Sequence, residues 1–223
     1  MADLRAETHA VCTSKTIEDS AAMNLLRKAE AIEHEYYEWH QTLPDRWKPT
    51  AVSWVEGAAE QDYANAAVYP GRVDSYGGAY IATIHNIARS ARLFIVTTIL
   101  RCTAKLCYPL DYRMTPEYVT ASRHASQLID DIIATTPYFF GWDRDVETAE
   151  FEDSYFPCGS DNKITGKGVT GIWAMYPLFA ASTSDFATYS QRIWMRGRLK
   201  YISEVLGVNQ AHVLLQVSGS YPS

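Results

Sequence analysis

The stretch "GAYIATIHNIARSARLFIVTTILRC" (78–102) decides the fold, because it opens amphipathic and ends apolar on every side. Tyr80, Ile87, Ala91, Phe94 and Thr98 recur at steps of three, four and seven, which is the period of an α-helix. From Leu93 to Leu100 no polar face remains, so this part belongs at the centre of a domain and is covered all round. The same helix carries His85, Asn86, Arg89 and Arg92 to the edge of that apolar run. Its expected limits are Asp74 and Cys107, a length of about 50 Å at 1.5 Å per residue.

Helices flank it on both sides. Leu25, Ala29, Ile32, Tyr36 and Trp39 give "DSAAMNLLRKAEAIEHEYYEWHQTLP" the same period, from Asp19 to a stop at Pro44. In "TPEYVTASRHASQLIDDIIATTP" Thr115 is the expected N-cap, Pro116 the first helical residue and Pro137 the end. Two or three more helices close the chain, with Gly207 as a C-cap. Residues 1–16 read as a tail, and 141–170, acidic and aperiodic, as a long irregular loop. No alternating strand pattern stands out between turn signals, so no sheet is expected. The expected fold is all-α, one domain over 17–223 with a long buried central helix.

Composition narrows the function classes. The chain has 223 residues and a net charge of −6, which disfavours direct contact with nucleic acid. No run of about 18 apolar residues exists to span a membrane. Cys12, Cys102, Cys107 and Cys158 form no CxxC pair, which suits free thiols in a reducing compartment, cytoplasm or nucleus. The six histidines show no ligand spacing, and "GSDNKITGKG" (159–168) departs from the phosphate-loop pattern and follows no strand. No G-x-S-x-G elbow is present either. Neither a metal nor a cofactor is expected.

The guanidiniums therefore carry the question. A charge near a core needs a partner, and Asp130 and Asp131 on the following helix are candidates for a structural clamp. The other reading is a lined cavity, in which Arg89 holds a carboxylate or enolate and His85 titrates.

Four stretches carry a resemblance. "YYEWHQTLPDRWKP" (36–49), "SYGGAYIATIHNIARSARLFI" (75–95) with Asn86, Arg89 and Arg92 at N-x-x-R-x-x-R positions, "IWAMYPLFAAS" (172–182) and "RGRLKYISEVLGVNQAHVLLQ" (196–216) resemble the regulatory domain of fungal zinc binuclear-cluster transcription factors. Tyr176 stands where that family usually has Trp. The resemblance implies an all-α, ligand-responsive domain. The six-cysteine DNA-binding module and its basic linker are not seen, and the sequence begins about where the back half of such a domain would begin. The expectation is thus a metabolite-handling protein that binds a small, largely apolar secondary metabolite and does not itself contact DNA. Its other expected partners are a second copy of the chain or a full-length regulator, with no membrane.

The alternative is a cofactor-independent enzyme: a cyclase, isomerase or dehydratase, pericyclase-like, acting on a polyketide or terpenoid intermediate. His85 would then be the acid or base, with Arg89 or Tyr80 stabilising charge. Tyr76, Asn86, Arg92, Trp173 and Tyr176 would line the substrate.

Overall fold

Helical periodicity translates into seven helices in the computed structural model, which describes residues 2–13, 19–58, 61–141 and 164–219. They are α1 (Ala2–Thr13), α2 (Asp19–Thr42), α3 (Ala79–Cys107), α4 (Pro116–Phe139), α5 (Ile164–Ser182), α6 (Tyr189–Glu204) and α7 (Asn209–Gly219). A small antiparallel hairpin of β1 (Thr50–Val55) and β2 (Gly71–Ser75) lies between α2 and α3 in the sequence. The fold is all-α apart from this hairpin.

The hairpin corrects the expectation of no sheet. Thr50 pairs with Ser75 and Val55 with Gly71, with an irregularity between Ala51 and Ser53. β1 is mostly exposed and its partner lies far along the chain, so it has neither clean alternation nor a tight turn to betray it. β2 also takes Asp74 and Ser75, which the sequence pattern places at the start of the central helix. That helix starts at Ala79 and not Asp74.

Contacts cluster into two compact units. One comprises residues 1–43 and 91–128, the other 44–90 and 129–223. α3 therefore contributes 79–90 to the second unit and 91–107 to the first, and α4 divides similarly after Leu128.

In the first unit, Leu4, Ala22, Leu25, Ala29, Ile95 and Cys102 form a buried cluster, with Ile32, Tyr36, Phe94 and Ile99 packed against it. Ala22, Leu25 and Ala29 lie on one stripe of α2 and are all buried. Burying a side chain the size of Leu25 or Ile95 stabilises by about 1.5–3 kcal/mol. The presumed tail at 1–16 is instead mostly α1. It is weakly amphipathic, which hid it, and it docks through Leu4, through Thr8 to Thr98 (Oγ1–Oγ1 3.2 Å), and through Lys28 to Glu7 (2.6 Å). The Thr115 cap is as expected, its Oγ1 accepting from the Tyr118 N–H at 3.2 Å. Pro137 falls inside the last turn of α4, which runs on to Phe139.

In the second unit α5, α6 and α7 pack on one another around Leu178, Trp194, Met195, Leu199 and Ile202. Thr188 and Gln191 form a reciprocal capping box at the start of α6, and Gly207 turns the chain after it with φ +74°. α6 also pins the 61–69 connection. Trp194 Nε1 donates to the Ala66 carbonyl (3.0 Å) and Arg198 to that of Asn65 (3.2 Å). Gly197 makes this possible, because a Cβ there would lie 1.9 Å from the Ala64 oxygen. The irregular loop expected over 141–170 ends earlier, since 164–170 open α5. Cys158 and residues 142–163 lie outside the described residues.

Candidate functional site

Two arrangements of polar side chains matter, one in each unit. The second unit holds the network centred on Arg89, which is 6% exposed. Its Nη1 donates to the Tyr76 hydroxyl (3.0 Å), Asn86 Oδ1 (2.9 Å) and Thr135 Oγ1 (2.7 Å). One nitrogen with two hydrogens thus serves three oxygens, so one bond is shared. The bonds also have a direction. Thr135 spends its single hydrogen on the Asp131 carbonyl (2.7 Å), so the Tyr76 hydroxyl must donate to Thr135 at 2.7 Å while accepting from Arg89. Burial pushes the Tyr76 pKa up against the pull of Arg89, which keeps the phenol protonated for this bond.

Charge in the network is balanced. Arg72 on β2 bonds Asp74 at 2.8 and 3.1 Å and Asp131 at 2.5 Å, and Arg89 Nε lies 3.8 Å from Asp131. Burial works against the Arg72 charge, but its hydrogen bonds to Asp131 and then Asp74 outweigh it, and the pKa is raised. Two arginines facing two aspartates satisfy the requirement that buried charge be paired. Asp131 is thus the clamp carboxylate for Arg89. Asp130 takes no arginine: it accepts from Gln191 Nε2 at 2.7 Å.

His85 belongs to the same region. It is 2% exposed, its ring centroid is 5.5 Å from that of Tyr76, and its Nε2 meets the Trp47 carbonyl at 2.8 Å. A carbonyl only accepts, so the Nε2 proton is committed to that bond. The structure therefore brings Tyr76, His85, Asn86 and Arg89 together. Tyr80 points elsewhere, 70% exposed, and Tyr176 is exposed on α5 with Trp173 half-buried one turn away.

Arg92 lies three residues beyond Arg89 but belongs to the first unit. Its partner is neither Asp130 nor Asp131 but Glu33 on α2. Nε reaches both carboxylate oxygens at 3.0 and 3.2 Å, and Nη2 reaches Oε1 at 2.5 Å. This fork-on-fork pair forms part of the wall of a cleft of about 460 Å³. Each of three helices supplies one stripe of the cleft. α2 gives Glu30, Glu33, His34 and Tyr37; α3 gives Arg92, Val96 and Ile99; α4 gives Pro116, Glu117, Thr120, Ala121 and His124. Val96 and Ala121 are buried and with Ile99 make an apolar floor, while Glu30, His34, Glu117 and His124 are exposed at the rim. A mostly apolar hollow of this volume with a few polar groups has the character of a small-molecule site.

Of these cleft residues, only Arg92 was singled out from sequence. The signal was present: 30, 33, 34, 37 and 117, 120, 121, 124 are the same helical stripe twice. It is hard to read because both stripes are mostly charged or polar, with Tyr37 and Ala121 the exceptions, and so resemble solvated faces.

The chain is 27% identical over 202 residues to a protein named Transcription factor dbaG from Emericella nidulans. The aligned region is 88% of this chain and 45% of that protein, so the chain spans less than half the length of its relative. No family model matches it. No solved structure matches it. The chain is thus similar, at a distance, to part of a fungal transcription factor, and among the described residues no helix is long and apolar enough to cross a membrane.

Proposed function

We propose that this chain is the effector-sensing part of a fungal-type regulator, and that the cleft of the first unit binds a small, largely apolar metabolite. The cleft carries this reading: an apolar floor of Val96, Ile99 and Ala121 under a polar rim, within the volume range of ligand sites. The similarity to a named transcription factor supports a regulatory role over a metabolic one. Regulation of this kind needs binding that biases one arrangement of helices over another, and a pocket walled by three helices is suited to that.

The Arg89 network supports a holding role. Arg89 Nη1 is taken up by Tyr76, Asn86 and Thr135, Asp131 by the two arginines it faces, and the His85 Nε2 proton by Trp47. A catalytic group needs free capacity toward a substrate, whereas these atoms spend theirs on the protein. Contact with DNA is not part of the proposed role of this chain.

The test is incubation of the purified chain with a metabolite extract of the producing fungus, followed by mass spectrometry of what is retained and what is newly formed. A compound retained unchanged by the wild type but not by Thr120→Trp, which fills the cleft from an exposed position, is the expected result. A compound consumed with a product of equal mass, or lighter by one water, would overturn the sensing reading in favour of a catalyst.

A further inference from the structure

We infer that the cleft selects an amphipathic ligand bearing an ammonium or other cationic hydrogen-bond donor, and rejects carboxylic acids; this rests on the cleft being the ligand site. The cavity and its apolar floor make the site, and its charged groups decide the class. The charge of the single arginine in its wall is already balanced, because Glu33 engages Arg92 Nε and Nη2 with both carboxylate oxygens, and both side chains are largely shielded (19% and 15% exposed). An anionic ligand would meet a guanidinium whose charge Glu33 already balances and would bring a second negative charge beside that shielded carboxylate, which is unfavourable.

The rim carries the opposite preference. Glu30 and Glu117 project from α2 and α4, and among the described residues neither is held in an ion pair. His34 on the same rim is turned toward Glu38, at 3.2 Å. Three carboxylates and one committed guanidinium leave the cleft negative, with Val96, Ile99 and Ala121 below. An apolar body with an ammonium head satisfies floor and rim together. This reverses the polarity that the arginines suggest when read from sequence alone.

The test uses three probes with one apolar body: 1-naphthylmethylamine, 1-naphthylmethanol and 1-naphthoic acid, titrated calorimetrically into the whole chain at pH 7 and low salt. The amine is an ammonium at this pH and the acid a carboxylate. The amine is expected to bind about fivefold more tightly than the alcohol, as exposed ion pairs allow, and the acid more weakly still. The difference should shrink in 0.5 M salt, where the screening length falls to about 4 Å. The double variant Glu30→Gln with Glu117→Gln, at two exposed positions, should equalise amine and alcohol, and Thr120→Trp should abolish all three. If the acid binds as well as the amine and Thr120→Trp still abolishes both, the class of ligand is wrong while the cleft reading stands. If binding survives Thr120→Trp, or none of the three gives heat at millimolar concentration, the cleft reading fails and this inference fails with it.

Discussion

Replacing Arg89 by Met removes the centre of the second unit's network while keeping most of its apolar stem. The structure indicates how much is lost. Tyr76 keeps its bond to Thr135, Thr135 keeps the Asp131 carbonyl, and Asp131 keeps Arg72. The buried Asn86 Oδ1 loses the donor 2.9 Å away, and the charge-assisted bonds to Tyr76 and Thr135 vanish. Hydrogen bonds to a charged group are worth about 1.5–3 kcal/mol net, and an orphaned buried acceptor costs about 1–3 kcal/mol. Because one nitrogen with two hydrogens makes all three bonds, these contributions do not add, and since no carboxylate is left alone the loss should fall at about 2–4 kcal/mol, below the upper range for breaking a buried ion pair. For a chain of this size that corresponds to a fall in melting temperature of roughly 5–15 °C. Urea unfolding followed by far-ultraviolet circular dichroism measures it, with Tyr80→Ala, at an exposed position, as a control expected within about 0.5 kcal/mol of wild type. Binding of 1-naphthylmethylamine by folded Arg89→Met should be unchanged. Wild-type stability with lost binding would refute the reasoning, since Arg89 would then be reading a ligand.

Gly197→Ala should cost about 2 kcal/mol, because its Cβ would lie 1.9 Å from the Ala64 oxygen and the 61–69 connection must move; an unchanged urea midpoint would contradict this close approach. Thr188→Ala removes one half of the α6 capping box and should cost about 1 kcal/mol in the same assay. Burial raises the Asp130 pKa above 3.8 despite the Gln191 hydrogen bond, so protonation favours the folded state. That contribution is present in acid and lost as pH rises through the folded value. Asp130→Asn, which resembles the protonated group, should therefore raise stability at pH 7 slightly, by up to about 0.5 kcal/mol at this partly exposed site, and remove the pH dependence that Asp130 contributes; lower stability at pH 7 in the urea assay would contradict this. Glu33→Gln frees Arg92 from its carboxylate and should raise affinity for 1-naphthoic acid while lowering that for the amine; unaltered affinities would show that this pair does not set the polarity of the cleft.

What the sequence revealed depends on how local each signal is. The seam of α2 and the all-round apolar run of α3 are patterns within one helix, and both could be read directly. So could the Thr115 cap and the Gly207 turn, where one residue type suits one backbone position. The hairpin was not legible, because Thr50 and Ser75 pair across a long connection and β1 has little buried surface to impose alternation. α1 was missed because its buried side chains among the described ones, Leu4 and Thr8, find partners on other helices.

The candidate site shows the same division. That Arg89 needs a carboxylate follows from the cost of burying charge, and Asp131 was among the candidates named. That Arg92, one turn later, takes Glu33 from α2 could not be read from spacing along α3. The cleft is harder still, since three separate stripes become a hollow only when three helices meet. Its polarity depends on Glu33 having already occupied the arginine.

The most direct test is a crystal structure of the whole chain with 1-naphthylmethylamine. The account expects the naphthyl ring on Val96, Ile99 and Ala121, with the ammonium toward Glu30 or Glu117 and the Arg92–Glu33 pair intact. Density for the probe at Arg89, or at any place outside the cleft of the first unit, would contradict it.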